Sequence, residues 1–169
     1  MNTDIAIVGM SCRFPDADSI GAYWENLKEG KQSIKKLSEE ELKLSGISDT
    51  LYNQENYVRA ASYISDIEHF DAGFFKYSPR EAAILDPQQR IMLELSHEAL
   101  ESAGYNSEYN TQNVGVFMGS GYNQYLLKNI LRGRSITDNS EEFFIQTSND
   151  KDYLASRISY KLNLHGPSV

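Results

Sequence analysis

The chain contains 169 residues, of which 40% are hydrophobic and 11% aromatic, as is typical of a folded globular protein. Its formal net charge of -8 argues against a nucleic-acid partner, because phosphate binding requires clustered Lys and Arg side chains. No apolar run is long enough to cross a bilayer, and the first residues lack a secretory signal pattern. We therefore expect a cytoplasmic protein without a membrane partner.

The residues that most often bind metals are few and widely separated. Cys12 is the single cysteine, so neither an internal disulfide nor a cysteine-based metal site can form. His69, His97 and His165 lie far apart, and none has a second ligand at a typical spacing. We expect no metal and no bound cofactor.

The first third of the chain predicts a strand, a helix and an irregular segment. Residues 5–8 form a short apolar, β-branched run closed by Gly9, which predicts a buried parallel strand. Residues 19–27 predict a helix, and residues 30–60 predict loops and short helical pieces. The apolar stripe of the helix consists of Ile20, Tyr23, Trp24 and Leu27.

Two helix starts follow. Ser78-Pro79-Arg80-Glu81 has the hydroxyl, proline and glutamate of a capping box. Asp86-Pro87-Gln88-Gln89 repeats the pattern, with Asp86 as the cap and Gln89 as its reciprocal partner. The second helix should extend to Ala103, because Gly104 follows as a C-terminal cap.

The last third predicts a second buried strand over residues 113–118 and a helix over residues 122–131. Asn149 should cap a last helix that ends near Tyr160, before Gly166-Pro167. Strands that alternate with helices indicate an α/β layered fold. Two strands make a small sheet for this many helices, so we expect the sheet to be incomplete.

Cys12 is a candidate nucleophile because Arg13 could lower the pKa of its thiol. The sequence places no histidine nearby to act as a base, and a free cysteine is more often a small buried apolar residue. We therefore predict a structural role for Cys12.

Gly119-Ser120-Gly121, between a predicted strand and helix, is similar to the start of a dinucleotide-binding loop. Gln124 occupies the position of the third glycine. A tight turn explains the glycines better, although a nucleotide-binding module remains an alternative that specific dinucleotide binding would support.

The remaining charged candidates have simpler explanations. His97 lies inside a predicted helix, where we expect it to be packed or solvated. Residues 39–41 and the pair Glu141-Glu142 are acidic and suit solvated faces or helix starts. The residues alone thus predict an α/β module without a catalytic constellation.

Taken in order, the motifs resemble the N-terminal portion of modular polyketide-synthase ketosynthases (β-ketoacyl synthases) along nearly the whole chain. The matching segments are Asp4-Ile5-Ala6-Ile7-Val8-Gly9-Met10-Ser11-Cys12-Arg13-Phe14-Pro15, Tyr23-Trp24-Glu25-Asn26-Leu27, Phe70-Asp71-Ala72-Gly73-Phe74-Phe75, Ser78-Pro79-Arg80-Glu81-Ala82, Leu85-Asp86-Pro87-Gln88-Gln89-Arg90, Glu98-Ala99-Leu100-Glu101-Ser102-Ala103-Gly104, Val114-Gly115-Val116-Phe117-Met118-Gly119 and the stretch from Asn149 to Ser168.

The resemblance implies an incomplete thiolase-like fold, layered α-β-α-β-α, with residues 1–169 as the N-terminal portion of one domain. It places the family's catalytic cysteine and its two histidines after Val169, so the expected catalytic, cofactor-binding and metal residues of this chain are none. Cys12 matches a non-catalytic cysteine of the family, and His97 stands where the family usually has Trp.

The function implied by the resemblance is decarboxylative Claisen condensation of a carrier-bound acyl chain with a malonyl-type extender. The expected partners are the remainder of the domain, a phosphopantetheine-bearing acyl carrier protein and a second subunit. This chain alone should be inactive, and its uncovered apolar surface should make it oligomeric or poorly soluble. The alternative is a naturally truncated, non-catalytic docking or association module of an assembly line.

Overall fold

The computed structural model describes residues 4–105, 113–133, 136 and 138–169. The chain divides into two compact units. The smaller unit is Cys12–Ser65, and the larger unit combines Met1–Ser11 with Asp66–Val169.

The smaller unit consists of short elements. Over residues 30–60 this agrees with the predicted loops and short helical pieces. The elements are α1 (Ile20–Lys28), β1 (Lys35–Lys36), α2 (Glu39–Leu44), α3 (Asp49–Tyr52) and β2 (Ala60–Ala61). The two strands pair antiparallel, with Lys35 opposite Ala61. The predicted helix α1 is confirmed: it begins after Ser19, whose hydroxyl accepts a hydrogen bond from the Ala22 amide at 3.2 Å. Its apolar stripe is exposed.

The larger unit contains the longer helices. They are α4 (Pro79–Ile84), α5 (Pro87–Ser102), α6 (Asn139–Asn149) and α7 (Leu154–Lys161), with a π-helical turn over Leu126–Ile130 and a 3-10 turn over Lys151–Tyr153. Both hydrogen bonds of the predicted capping box at Ser78 are present. Gly104 follows α5 with a positive φ of 77°, which a residue with a Cβ adopts at a cost.

Two predicted caps are wrong in detail. Asp86 does cap α5, but Gln89 is not its reciprocal partner; the Gln89 amide donates to the Asp150 carbonyl at 3.0 Å. Asn149 does not start the last helix, because it is the last residue of α6, and Asp150 caps the turn that precedes α7. In both cases long-range hydrogen bonds override the local cap pattern.

Helix α6 was not predicted as a separate element. It begins after Asp138, whose carboxylate accepts a hydrogen bond from the Glu141 amide at 2.7 Å. Glu141 and Glu142 lie in its first turn, where negative charge is favourable. They are therefore the helix-start charges that the sequence offered as one interpretation.

A parallel strand pair joins residues 114–118 to residues 166–169. Val116 and Ser168 form the parallel bridge. The Val116 amide donates to the Pro167 carbonyl at 2.7 Å, and the Val169 amide donates back to the Val116 carbonyl at 2.9 Å. The second predicted strand is thus confirmed in its pairing with residues 166–169. The prediction that it is buried holds only for Val116, since Phe117 is 70% exposed. We call residues 114–118 and 166–169 together the parallel pair.

The first predicted strand, residues 5–8, is not assigned as a strand. A strand is defined by its ladder of hydrogen bonds, and within the described ranges no segment pairs with this one. Ile5 is 95% exposed and Ile7 is 79% exposed. The prediction of a buried strand is therefore wrong for this chain as it stands.

The main core of the larger unit lies between α5, α7 and the parallel pair. Its buried members are Phe75, Leu93, Val116, Leu154, Ala155, Ile158, Leu162 and Leu164. Each fully buried Leu, Ile or Phe contributes roughly 1.5–3 kcal/mol, so this cluster fixes the parallel pair on the two helices. Within the described ranges, no helix is both long and apolar enough to cross a membrane.

Candidate functional site at the end of the parallel pair

The strand over residues 114–118 leads into the glycine loop after Met118, whose amide donates to the Val169 carbonyl at 2.9 Å. We call this end of the parallel pair its carboxyl edge. In open α/β sheets, ligands bind in the crevice beyond the carboxyl ends of the strands. The loop that follows Met118 therefore marks the candidate site, although the chemistry of such a site must come from particular side chains.

Gln88, at the start of α5, holds the glycine loop in place. Its side-chain oxygen accepts a hydrogen bond from the Gly121 amide at 2.8 Å, and its side-chain amide donates to Asp86 at 3.1 Å. A Cβ at Gly119 would meet no atom within 4 Å. The loop is thus fixed by a side chain from α5, and the close approach involves Gly121 and not Gly119.

The loop does not support the nucleotide-binding alternative. It leads into helical residues 124–130 only, most of them in a π-helical turn. A dinucleotide fingerprint needs a helix whose first amide groups face the phosphates. Together with Gln124 in place of the third glycine, this geometry favours a turn.

A polar cavity of about 230 Å³ lies beside the loop. Its wall includes residues from the end of α6 as well as from the loop. The lining residues are Asp86, Ser120, Gly121, Tyr122, Asn123, Leu126, Leu127, Asn149, Asp150 and Lys151. The cavity therefore lies where α5, α6 and the edge of the parallel pair converge.

Asn149 connects three parts of this site although it is only 3% exposed. Its amide donates to the carbonyls of Ile84 and Ile145 at 3.0 and 2.9 Å. Its side-chain oxygen accepts a hydrogen bond from the Asn123 amide at 3.0 Å. The ends of α4 and α6 are thereby fixed relative to the segment after the glycine loop.

A second polar connection runs from α5 to α7. The Arg157 Nε donates to the Gln89 side-chain oxygen at 2.6 Å, and the same guanidinium donates to the Thr147 carbonyl.

Burial raises the pKa of Asp86, whereas the hydrogen bonds from Gln88 and the charge of Arg90 oppose that increase. These groups hold helices together; none of them is arranged as a nucleophile with a base.

An apolar groove of about 600 Å³ opens on the other side of the parallel pair. It is lined by residues 6–9 and 114–118, together with Ser96, Ala99, Leu100, Ala103, Tyr105, Ile158 and Leu164. A Cβ at Gly9 would lie 2.4 Å from the Ala99 carbonyl, so the N-terminal segment runs directly against α5. The Ser11 hydroxyl, which donates to the Leu95 carbonyl at 2.6 Å, anchors its end.

The residues that the sequence singled out do not meet in this site. Cys12 is buried and is the first residue of the smaller unit. His97 packs edge-on against Phe74, with ring centroids 4.8 Å apart, and its Nδ1 lies 3.5 Å from a Glu101 carboxylate oxygen. Residues 39–41 form the first turn of α2.

The sequence missed Gln88, Asn123, Asn149 and Arg157 as site residues. Gln88 and Asn149 belong to motifs that were interpreted as helix starts and as matches to the family, without a role in a site. A signal was nevertheless available, because glutamine and asparagine amides that become buried must find hydrogen-bond partners.

The parallel pair, the helices packed on one face and the polar cavity at its carboxyl edge define part of a layered α/β domain of the thiolase-like class. The family model "Beta-ketoacyl synthase, N-terminal domain" matches residues 2–169, and the chain belongs to that family.

Known relatives of the chain are polyketide synthases. It is 43% identical to one of the proteins of the phenolphthiocerol/phthiocerol polyketide synthase of Mycobacterium tuberculosis, covering 98% of this chain and 12% of that protein. It is 38% identical to polyketide synthase PksN of Bacillus subtilis, covering 97% of this chain and 3% of that protein. The chain therefore spans a small part of these relatives.

Solved ketosynthases share the fold. Ketosynthase twelve from the bacillaene polyketide synthase of Bacillus amyloliquefaciens superposes with a TM-score of 0.81 at 35% identity. The similarity covers 96% of this chain and 28% of that structure. The ketosynthase from module 1 of the bacillaene synthase of the same organism gives a TM-score of 0.76 at 37% identity. The expected incomplete thiolase-like fold is thereby confirmed.

Proposed function

We propose that residues 1–169 are the N-terminal portion of a polyketide-synthase ketosynthase domain whose complete form catalyses decarboxylative Claisen condensation. The observation that best supports this proposal is the parallel pair in a chain of this family. The pair leads to an edge where Gln88 holds the glycine loop in place. In the family, the strand that begins near residues 166–169 leads into the turn that carries the nucleophilic cysteine.

The reaction of the complete domain would proceed in two stages. A cysteine thiolate displaces the phosphopantetheine thiol of a carrier protein from the acyl thioester, giving an acyl-enzyme. A malonyl-type extender then loses carbon dioxide, and the resulting enolate attacks the acyl carbonyl and releases the thiolate. Histidine donors stabilise the enolate oxygen. The present chain would contribute the scaffold that positions the nucleophile strand.

We propose that the chain alone does not catalyse this reaction. Cys12 is buried, so a carrier-bound thioester would not reach its thiol. His97 is packed between aromatic rings and Glu101, which leaves no imidazole in the polar cavity among its lining residues. The catalytic cysteine and histidines would come from the remainder of the domain.

The uncovered strand surface supports a partner that completes the domain. Val116 is 4% exposed, whereas the next residue, Phe117, is 70% exposed. Parallel sheets are normally covered on both faces, so the face that carries Phe117 lacks a layer. We propose that the remainder of the ketosynthase domain forms this layer, and that the complete domain pairs as a homodimer and receives substrates from an acyl carrier protein.

Acylation provides the test. The chain is incubated with an acyl carrier-protein thioester, alone and together with the remainder of the domain, and both are analysed by intact-protein mass spectrometry. The remainder is taken from the same reading frame or, if it is not encoded there, from ketosynthase twelve. We expect acylation on the remainder only when both parts are present, and none on Cys12.

Acylation of the chain alone would contradict the proposal. If both parts bind but neither is acylated, while the chain alone binds the carrier protein specifically, the docking or association module is the better assignment.

A further inference from the structure

Arg90 is a buried cation whose Nε has no hydrogen-bond acceptor within the described residues. It lies in the first turns of α5 and is 7% exposed. Its Nε is fully buried and has no hydrogen-bond partner within the described residues. The Tyr125 ring, whose centroid lies 5.8 Å from the guanidinium carbon, provides only a weak cation–π contact at this distance.

The acidic group nearest in sequence is already engaged. Asp86 lies one turn before Arg90, but one of its carboxylate oxygens accepts the Gln88 amide hydrogen and the other accepts the Gln88 side chain. Within the described residues, no carboxylate lies within ion-pair distance of the Arg90 guanidinium. Asp86 therefore caps the helix and acts on Arg90 through its charge alone, and the Nε of Arg90 remains open to another acceptor.

A guanidinium stays protonated at every relevant pH, so Arg90 cannot escape its burial by losing its charge. Buried charges in folded proteins are normally paired, since an unpaired one is strongly unfavourable. A carboxylate is the acceptor that neutralises the charge and matches the planar donor geometry with two hydrogen bonds.

The position of Arg90 indicates where such a carboxylate would come from. Gln88, two residues earlier, holds the loop at the carboxyl edge, and Tyr125 follows that loop. The parallel pair ends at the same edge with Val169. The chain covers 28% of the solved ketosynthase twelve, and a polypeptide that continued from Val169 would leave the parallel pair at this edge.

We propose that Arg90 binds a carboxylate supplied by the remainder of the ketosynthase domain and is the main polar anchor between the two parts. This inference rests on the proposed function. It adds a specific residue and a specific acceptor chemistry to the general expectation that the remainder covers the chain.

Binding of the two parts tests the anchor. The remainder of the domain is titrated into the chain, and the dissociation constant is measured for the original chain and for Arg90→Gln, Arg90→Lys and Arg80→Gln. Truncating one partner of a buried charge pair should weaken binding roughly 30-fold or more. We expect that loss for Arg90→Gln, a smaller loss for Arg90→Lys, and no change for Arg80→Gln, whose side chain is exposed.

Failure of the original chain to bind the remainder would contradict the proposed function itself. Normal binding by the Arg90→Gln chain would overturn only the role of Arg90.

The chain alone supplies the second measurement. Without a partner carboxylate, Arg90→Gln should leave the urea midpoint nearly unchanged, because the Arg90 Nε makes no hydrogen bond in this chain and the cost of burying the charge offsets its attraction to Asp86. A loss of unfolding free energy as large as the loss of binding free energy would assign Arg90 a structural role inside this chain. That result would overturn the proposal.

The acceptor is identified by substituting the acidic residues of the remainder singly with their amides. One such change should weaken binding to the original chain and have no further effect in the Arg90→Gln background, as expected of a coupled pair. If no acidic residue is coupled to Arg90, the acceptor is not a carboxylate, and the proposal fails.

Discussion

At the residue scale, the site depends on buried amides more than on charges. Asn149 joins α4, α6 and Asn123, and Gln88 joins α5 to the glycine loop. Amides satisfy donors and acceptors together without the desolvation cost of an ion. They are therefore suited to fixing a loop at the end of a strand pair.

Replacing Asn149 with Leu should be strongly destabilising. The change removes the hydrogen bonds to the Ile84 and Ile145 carbonyls and leaves the Asn123 amide without one of its acceptors. Unsatisfied buried groups cost about 1–3 kcal/mol each, so we expect a loss of roughly 3 kcal/mol in the free energy of unfolding, measured with urea. Asn139→Ala, at the exposed start of α6, is the control and should change it little.

The capping box of α4 should make stability depend on pH. The hydrogen bonds from the Ser78 amide and then from its hydroxyl lower the pKa of Glu81 in the folded chain. Because the folded-state pKa is lowered, the stabilisation is complete above the ordinary Glu value of about 4.3 and is lost as the pH falls through the folded-state pKa.

We therefore expect Glu81→Gln to reduce stability at pH 7 and to have a progressively smaller effect as the pH is lowered below about 4.3. Urea midpoints at several pH values provide the comparison. Profiles that run parallel at all pH values would refute a role for the Glu81 charge.

At the element scale, the helix starts were predictable and the strands were only partly so. The caps at Ser19 and Ser78 are local, since each joins residues three apart in sequence. The parallel pair joins residues about 50 apart, which no local pattern specifies. Residues 5–8 have the composition of a strand, yet composition cannot provide the neighbour that a strand requires.

The site was less predictable than the helices for the same physical reason. Asn149 and Gln89 both occur in good capping patterns, but tertiary hydrogen bonds to Ile84 and Asp150 give these amides other partners. The residues alone indicated an incomplete α/β layered fold, and the family resemblance identified that fold as thiolase-like. The pairing of residues 5–8 was wrong, because no described segment pairs with them.

Gly166→Ala should disrupt the parallel pair. A Cβ at Gly166 would lie 2.4 Å from the Val114 carbonyl carbon and 2.5 Å from the Gly115 nitrogen, so the strands would have to separate. Overpacking of this kind costs about 3 kcal/mol when backbone atoms are involved. Gly119→Ala is the matched control, since a Cβ there meets nothing within 4 Å.

Thermal unfolding monitored by circular dichroism compares the two alanine variants. Equal midpoints for Gly166→Ala and Gly119→Ala would contradict the close approach at Gly166.

At the scale of the whole molecule, the chain exposes apolar surface on its N-terminal segment and on one face of the parallel pair. Ile5, Ile7 and Phe117 are exposed, and the apolar groove lies between these two segments. Exposed apolar patches and unpaired strand edges favour association. An incomplete layer should thus dominate the behaviour of the isolated chain.

We expect the isolated chain to form oligomers or aggregates, and the double variant Ile5→Lys/Ile7→Lys to be markedly less associated. Sedimentation velocity at increasing concentration measures this, with Leu44→Lys as a control at an exposed leucine of the smaller unit. A monomeric original chain at high concentration would argue against the uncovered layer.

The central claim is that the apolar groove and the exposed residues 5–8 receive the remainder of a ketosynthase domain. Hydrogen–deuterium exchange of the chain, with and without that remainder, tests it most directly. The account predicts new protection of the amides in residues 5–8 and 114–118, and little change in α2 of the smaller unit. Binding that leaves the exchange of residues 5–8 unchanged would contradict the account.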